Sequence, residues 1–159
     1  MQHLELAKSV HAKLQEKKKK LAVAESCTGG LLMADLTSFP GASDYLLGGV
    51  VAYSNELKRE LLHVSPVTLE IHGAVSSETV MEMVKGLFFV TKADIAIAVS
   101  GILGPTGGSE EKPIGTVWVA YGERDKQVKS YLVPLNDALS RVEYRGRVVT
   151  YLLETLWSL

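Results

Sequence analysis

Three stretches of this sequence concentrate polar residues just where an apolar run stops. The first is Glu25-Ser26-Cys27-Thr28-Gly29-Gly30, which follows the short apolar run 21–24. A hydroxyl in a tight turn between a strand and a helix is exposed to a substrate, and the N–H groups and dipole of that helix offer donors to the oxyanion of acyl transfer. Ser26 is therefore a candidate nucleophile, with donors around Thr28, Gly29 and Gly30. The same pattern describes an ordinary helix cap. Cys27 adds a second candidate, because a thiol at a helix N-terminus can have a lowered pKa, whereas a buried one is a small apolar filler.

The second stretch, Tyr53-Ser54-Asn55-Glu56-Leu57-Lys58, supplies an activator. Serine needs a base, and a lysine serves if burial or nearby positive charge lowers its pKa. Tyr53 ends an apolar run and Lys58 lies in the helix that follows, so both can face one pocket, where a tyrosine can share the proton. Lys58 reads equally as a solvated residue on a helix carrying Glu56, Arg59 and Glu60.

The third stretch is the loop 101–115, with Gly101, Gly104, Gly107, Gly108 and Ser109. Successive N–H groups in such a loop can form an anion nest, and glycines allow close approach of a ligand. No Gly-Lys-Ser/Thr closes it, and no G-x-G-x-x-G lies between a strand and a helix, so neither a Walker loop nor a dinucleotide fingerprint is present. His63 and His72 lack metal-ligand spacing, and His3 and His11 are expected on a polar helix face. Arg141, Arg145 and Arg147 crowd the last helix, where one could meet a substrate phosphate.

Hydrophobic periodicity supplies the elements that must position these groups. Helices are expected over 2–20, from Gly29-Gly30 to about Ser38, and over 55–62, 66–72 and a segment capped by Ser76 or Ser77. Strands are expected over 21–24, 46–53 and 95–99, then over 114–121 and 128–134 as an antiparallel hairpin. Asn136 is expected to cap a last helix that buries Leu139, Val142, Val149, Leu152, Leu153 and Leu156. Strands and helices alternate early and a hairpin comes late, which predicts a three-layer α/β/α sandwich around a mixed sheet, a single domain over 1–159.

Composition narrows the function classes. The 159 residues are 47% hydrophobic and 22% charged with a net charge of −1, so no basic field points to nucleic acid or an anionic membrane. The run Lys17 to Lys20 reads as a solvated helix end. No apolar stretch approaches the roughly 20 residues of a membrane-spanning helix. The N-terminus does not read as a signal peptide, and with Cys27 the only cysteine, a reducing cytoplasm is the expected compartment.

Taken together, the sequence resembles the CinA C-terminal domain family, which includes nicotinamide-mononucleotide amidohydrolases. The matching pieces are 24–30, 51–58, His72-Gly73-Ala74-Val75-Ser76, 100–109 and Lys112-Pro113-Ile114-Gly115-Thr116-Val117-Trp118, in order along nearly the whole chain. The resemblance implies hydrolysis of the carboxamide of nicotinamide mononucleotide to nicotinate mononucleotide and ammonia, without a metal or organic cofactor. It makes Ser26 the nucleophile, Lys58 its base, Tyr53 an assistant, and Thr28, Gly29 and Gly30 the oxyanion donors. Gly101, Gly104, Gly107, Gly108 and Ser109 would hold the nucleotide. Relatives usually carry a Gly-Asp-Arg-like segment before the last helix; here residues 135–141 lack the glycine, and Arg145 is taken as the phosphate ligand. The expected partners are a small nucleotide substrate and a second copy of the chain in a homodimer or other homo-oligomer. The alternatives are a Cys27 thiol amidase and a non-catalytic nucleotide-binding or interaction module of the same fold.

Overall fold

The strands alternate large and small apolar residues, and the two kinds face opposite sides of one sheet. In a computed structural model, which describes residues 2–159, Leu21 and Val23 of β1 (Leu21–Glu25) share a face with Ile95, Ile97 and Val99 of β3 (Ile95–Gly101) and with Val117 and Val119 of β4 (Val117–Glu123). On that face pack α1 (Gln2–Lys17), α2 (Leu31–Leu36) and α6 (Arg141–Ser158). Ala22, Ala24, Ala96, Ala98 and Ala120 form the other face, covered by α3 (Asn55–Leu62) and α5 (Ser77–Val90), with α4 (Pro66–His72) alongside α5. With β2 (Leu46–Val51) and β5 (Lys129–Leu132), the strand order is β2-β1-β3-β4-β5. β1 pairs in parallel with β2 and β3, while β3–β4 and β4–β5 are antiparallel. The result is the expected three-layer sandwich around a mixed sheet.

Parallel pairing brings three strand ends to one edge. Glu25 lies beside Val51 on one side and Val99 on the other, so the chain leaves β1, β2 and β3 at the same level. All three candidate stretches begin there, which is where α/β sheets collect ligands.

Several boundaries differ from the sequence reading. α1 stops at Lys17, because Lys18 turns left-handed (φ 56°). Lys19 and Lys20 lead into β1, with Lys19 paired to Glu123 at 2.6 Å, so the run is a tied-down turn rather than a helix end. His11 is buried, 3.3 Å from the Tyr45 hydroxyl, since α1 is covered on a second side by the segment holding Phe39 and Tyr45. His3 pairs with Asp35 of α2. The last helix is capped by Ser140, not Asn136. Ser140 Oγ accepts from the Glu143 N–H while the Glu143 carboxylate accepts from the Ser140 N–H, a capping box that fixes the start. Val142, expected inside, is 75% exposed, and Leu139 precedes the helix. β4 begins at Val117 rather than residue 114, because Pro113 to Thr116 form a turn. Among the described residues, no helix is long and apolar enough to cross a membrane.

One close approach sets the position of α3. A Cβ on Gly86 of α5 would lie 1.9 Å from the Leu62 carbonyl oxygen at the end of α3. That neighbour is backbone and cannot swing away. Gly86→Ala is expected to destabilise the fold by about 2 kcal/mol or more, read as a lowered Tm, through overpacking.

Candidate active site

The turn after β1 is built around Glu25. Ser26 still belongs to the sheet, its N–H donating to Val99 O at 3.2 Å. The chain then reverses through Gly29 (φ 63°) and Gly30 (φ 96°), a left-handed pair that side chains disfavour. Gly30 caps α2 but has no side chain to accept a bond. The buried Glu25 carboxylate does so instead. Its Oε2 accepts from Thr28 Oγ1 at 2.5 Å, Gly30 N at 3.1 Å and Leu32 N at 3.2 Å, and its Oε1 from Met33 N at 2.9 Å. This changes the expected donor set. The Gly30 N–H is taken by Glu25, and the Gly29 N–H donates to Ser26 O at 3.1 Å. Among the described residues, the Cys27 and Thr28 amides donate to no protein acceptor.

Lys58 reaches the same turn from α3. Ser54 caps that helix by accepting from Leu57 N at 3.0 Å, which places Lys58 one turn in. Its side chain is only 1% exposed, and Nζ lies 3.1 Å from Ser26 Oγ, 2.9 Å from Ala52 O and 3.4 Å from Tyr53 O. None of these neighbours carries a charge. Burial pushes the amine below the ordinary 10.5, with the Cys27 sulfur opposing. All three oxygens accept from Nζ, two of them carbonyls that can only accept and the third the Ser26 hydroxyl, which can also donate. Cys27 is different, since burial pushes its thiol up to about 12 and keeps the proton on sulfur. Lys58 and Arg141 pull the thiol downward without offsetting the burial.

The remaining residues divide. Tyr53 meets Lys58 through its carbonyl, while its exposed phenol oxygen accepts from Arg141 Nη2 at 2.7 Å. Arg141 also donates through Nη1 to Gly104 O at 2.7 Å, and so ties the β2–α3 connection to the glycine-rich loop. One turn further along α6, Arg145 donates to Thr28 O from Nε at 3.3 Å and Nη2 at 3.1 Å. Gly101 ends β3, where a Cβ would lie 2.6 Å from Val117 Cγ2. Gly107, Gly108 and Ser109 are exposed. Ser109 accepts from Lys112 N at 3.0 Å and lines a cleft of about 550 Å³ with Trp118 and the start of α5, away from the groups touching Ser26. The other half of the loop, Leu103 and Pro105, faces a cleft of about 600 Å³ with Arg141 and Tyr144. Among the described residues no cluster of three or more His, Cys, Asp or Glu could hold a metal.

Sequence reasoning missed Glu25 and the bridging role of Arg141. A signal for Glu25 was available, because a helix opened by two glycines must find its acceptor elsewhere and a carboxylate before it suits the dipole.

A five-stranded α/β sandwich with a serine and a buried lysine in contact at its strand edge defines the class of domain. The CinA C-terminal domain model matches residues 3–159, and the chain belongs to that family. A CinA-like protein of Thermotoga neapolitana is 49% identical over 143 residues, 90% of this chain and 34% of the relative. One of Shewanella sp. (strain MR-4) is 54% identical over 119 residues, 75% of this chain and 28% of the relative. The chain thus spans about a third of the length of the curated relatives it matches. The crystal structure of the competence/damage inducible protein CihA from Agrobacterium tumefaciens superimposes with a TM-score of 0.94 at 37% identity, covering 99% of this chain and 95% of that one. The competence damage-inducible protein A (ComA) of Klebsiella pneumoniae gives 0.91 at 39% identity, covering 97% and 94%.

The lowered pKa of Lys58 has a consequence for stability. Between its folded value and 10.5 the unfolded chain binds a proton that the folded chain does not, so folding gains stability as pH rises through that window and loses it as pH falls. The unfolding free energy of wild type relative to Lys58→Met is expected to increase across that window in denaturant titrations.

Proposed function

We propose that the domain is a serine amidohydrolase that converts nicotinamide mononucleotide and water to nicotinate mononucleotide and ammonia. The observation that carries this reading is the Lys58 Nζ at 3.1 Å from Ser26 Oγ, with two carbonyls occupying the other directions around the amine. The neutral amine takes the Ser26 proton as Oγ attacks the carboxamide carbon. The resulting ammonium keeps its two carbonyl partners and delivers its proton to the departing nitrogen, leaving an acyl ester on Ser26. Water then attacks that ester, Lys58 accepts the water's proton, and its return to Oγ frees the acid and the serine. The amides of Cys27 and Thr28 are the donors assigned to the oxyanion in both halves.

Nicotinamide mononucleotide as substrate rests on the resemblance of the five sequence segments. Two arginines one turn apart on α6 support a phosphate-bearing ligand. Arg141 is the more exposed of the pair and is tied only to neutral acceptors, a carbonyl and a phenol, which a phosphate can replace. It joins Arg145 as a proposed phosphate ligand. A cytoplasmic nucleotide pool is the setting this reaction requires.

Ammonia release from nicotinamide mononucleotide tests the reading. Ser26→Ala and Lys58→Ala are expected to fall by at least about 10³-fold with the Tm little changed, as loss of a nucleophile or its base does elsewhere. Cys27→Ala, which keeps the backbone amide, is expected to lose less than tenfold; the reverse ranking would move the nucleophile to the thiol. Arg141→Ala is expected to raise KM for the mononucleotide about tenfold or more, the worth of one charge-assisted bond, and to leave the unphosphorylated riboside unaffected. Equal effects on both compounds would remove Arg141 from the phosphate site.

A further inference from the structure

We infer that Glu25 is a positioning residue for the oxyanion site: its carboxylate sets which amides of the turn are left for the substrate. The inference rests on the Ser26 reading above. Glu25 directly precedes Ser26 and is 1% exposed. It makes no hydrogen bond to Lys58; its four partners are Thr28 Oγ1 and the amides of Gly30, Leu32 and Met33.

The carboxylate takes four donors here, three on Oε2 and one on Oε1. Two consequences follow. The first-turn amides of α2, the obvious anion donors of a helix N-terminus, are already engaged, so a substrate oxyanion must be met one step earlier by Cys27 and Thr28. The same bonds bear on those two amides, because Thr28 is held through its hydroxyl and Gly30 through its N–H, on either side of the left-handed Gly29. The Ser26–Cys27 plane, which carries the Cys27 N–H, is held by the Gly29 N–H on Ser26 O, whereas among the described residues the Cys27–Thr28 plane, which carries the Thr28 N–H, has no backbone bond of its own and depends on the Thr28 hydroxyl.

A glutamine has the shape of Glu25 but presents a donor where the carboxylate has a second acceptor. In Glu25→Gln, either the Met33 N–H or the three donors around Oε2 face an NH2 group, and the turn must shift. Thr28→Val removes one of the four donors and keeps size and branching.

The test is the rate at which a fluorophosphonate labels Ser26, followed by intact mass, beside steady-state ammonia release from nicotinamide mononucleotide. The phosphonyl oxygen needs the same donors as the oxyanion. Glu25→Gln is expected to slow labelling and lower kcat about 100-fold, the scale for one lost oxyanion donor or a misplacement of about 1 Å, with KM within about twofold. Labelling still reaches one per chain, whereas a merely unfolding variant would leave a fraction unlabelled. Thr28→Val is expected to show a smaller loss in the same two rates, about tenfold, and decides the matter where Glu25→Gln does not fold. Wild-type rates in either folded variant overturn the inference and leave the Ser26 reading intact. Slowed labelling in the variants, with no ammonia from the wild type, supports the inference and rejects the mononucleotide as substrate. A wild type that is not labelled at Ser26 overturns both.

Discussion

A lysine buried without a counter-charge is the constraint around which this domain is arranged. Carrying an ammonium into such a place costs several kcal/mol after relaxation, and the group ordinarily gives up its proton instead. Three oxygens around Lys58 Nζ accept its hydrogen bonds there. Holding them there needs the end of β2 for Ala52 and Tyr53, the end of β1 for Ser26, and a helix that starts soon enough after β2 to bring its fourth residue back over the sheet edge. The Ser54 cap starts that helix, and Gly86 lets its far end pass close to α5. Alanines on the sheet face under α5 belong to the same requirement, since larger residues there would lift α5 and with it α3.

The second constraint is electrostatic. Glu25 is buried one residue before the serine, and a carboxylate bonded to Lys58 would raise the pKa of its amine. The fold keeps the two apart by saturating Glu25 with an oppositely oriented set of dipoles, the start of α2 and the Thr28 hydroxyl. The acid is bonded by amides and a hydroxyl, and burial lowers the pKa of the lysine. Each is satisfied within its own hydrogen-bond set, so the turn between them carries both without an ion pair. Burial acts on the Cys27 thiol in the same turn as well, raising its pKa to about 12 where it lowers that of Lys58.

Much of this was legible in the sequence. The early alternation of strands and helices, a cap at Ser76 or Ser77, and the late hairpin predict the sandwich, with three polar stretches where apolar runs stop. The meeting of Ser26 with Lys58 was a matter of residue types and of segment order. What escaped the reading depends on competition between local signals. Asn136 and Ser140 are both good caps, and only the Glu143 carboxylate reaching back decides for Ser140. His11 sits among polar neighbours in sequence, yet a second layer of chain over α1 buries it beside Tyr45. Tyr53 follows β2 closely enough to suggest a shared proton, but its phenol leans to Arg141 while only its carbonyl faces the amine. Such choices are made by tertiary packing.

The shift of the last helix start from Asn136 to Ser140 is also what gives α6 its place at the site. With the helix beginning at Arg141, that side chain lies in the first turn and can span from the β2–α3 connection to the Gly104 carbonyl, while Arg145 one turn later covers the Thr28 carbonyl. A helix begun four residues earlier would put Arg141 inside its second turn. The segment 135–139 is instead an irregular stretch that bends at Asp137, pinned by the Tyr144 hydroxyl donating to Asp137 O at 2.9 Å. The two arginines come from the large-residue face of the sheet and Lys58 from the alanine face. The strand edge is the one place where the two layers converge on a single turn. A ligand seated over Ser26 therefore meets the arginines of one layer and the buried Lys58 amine of the other.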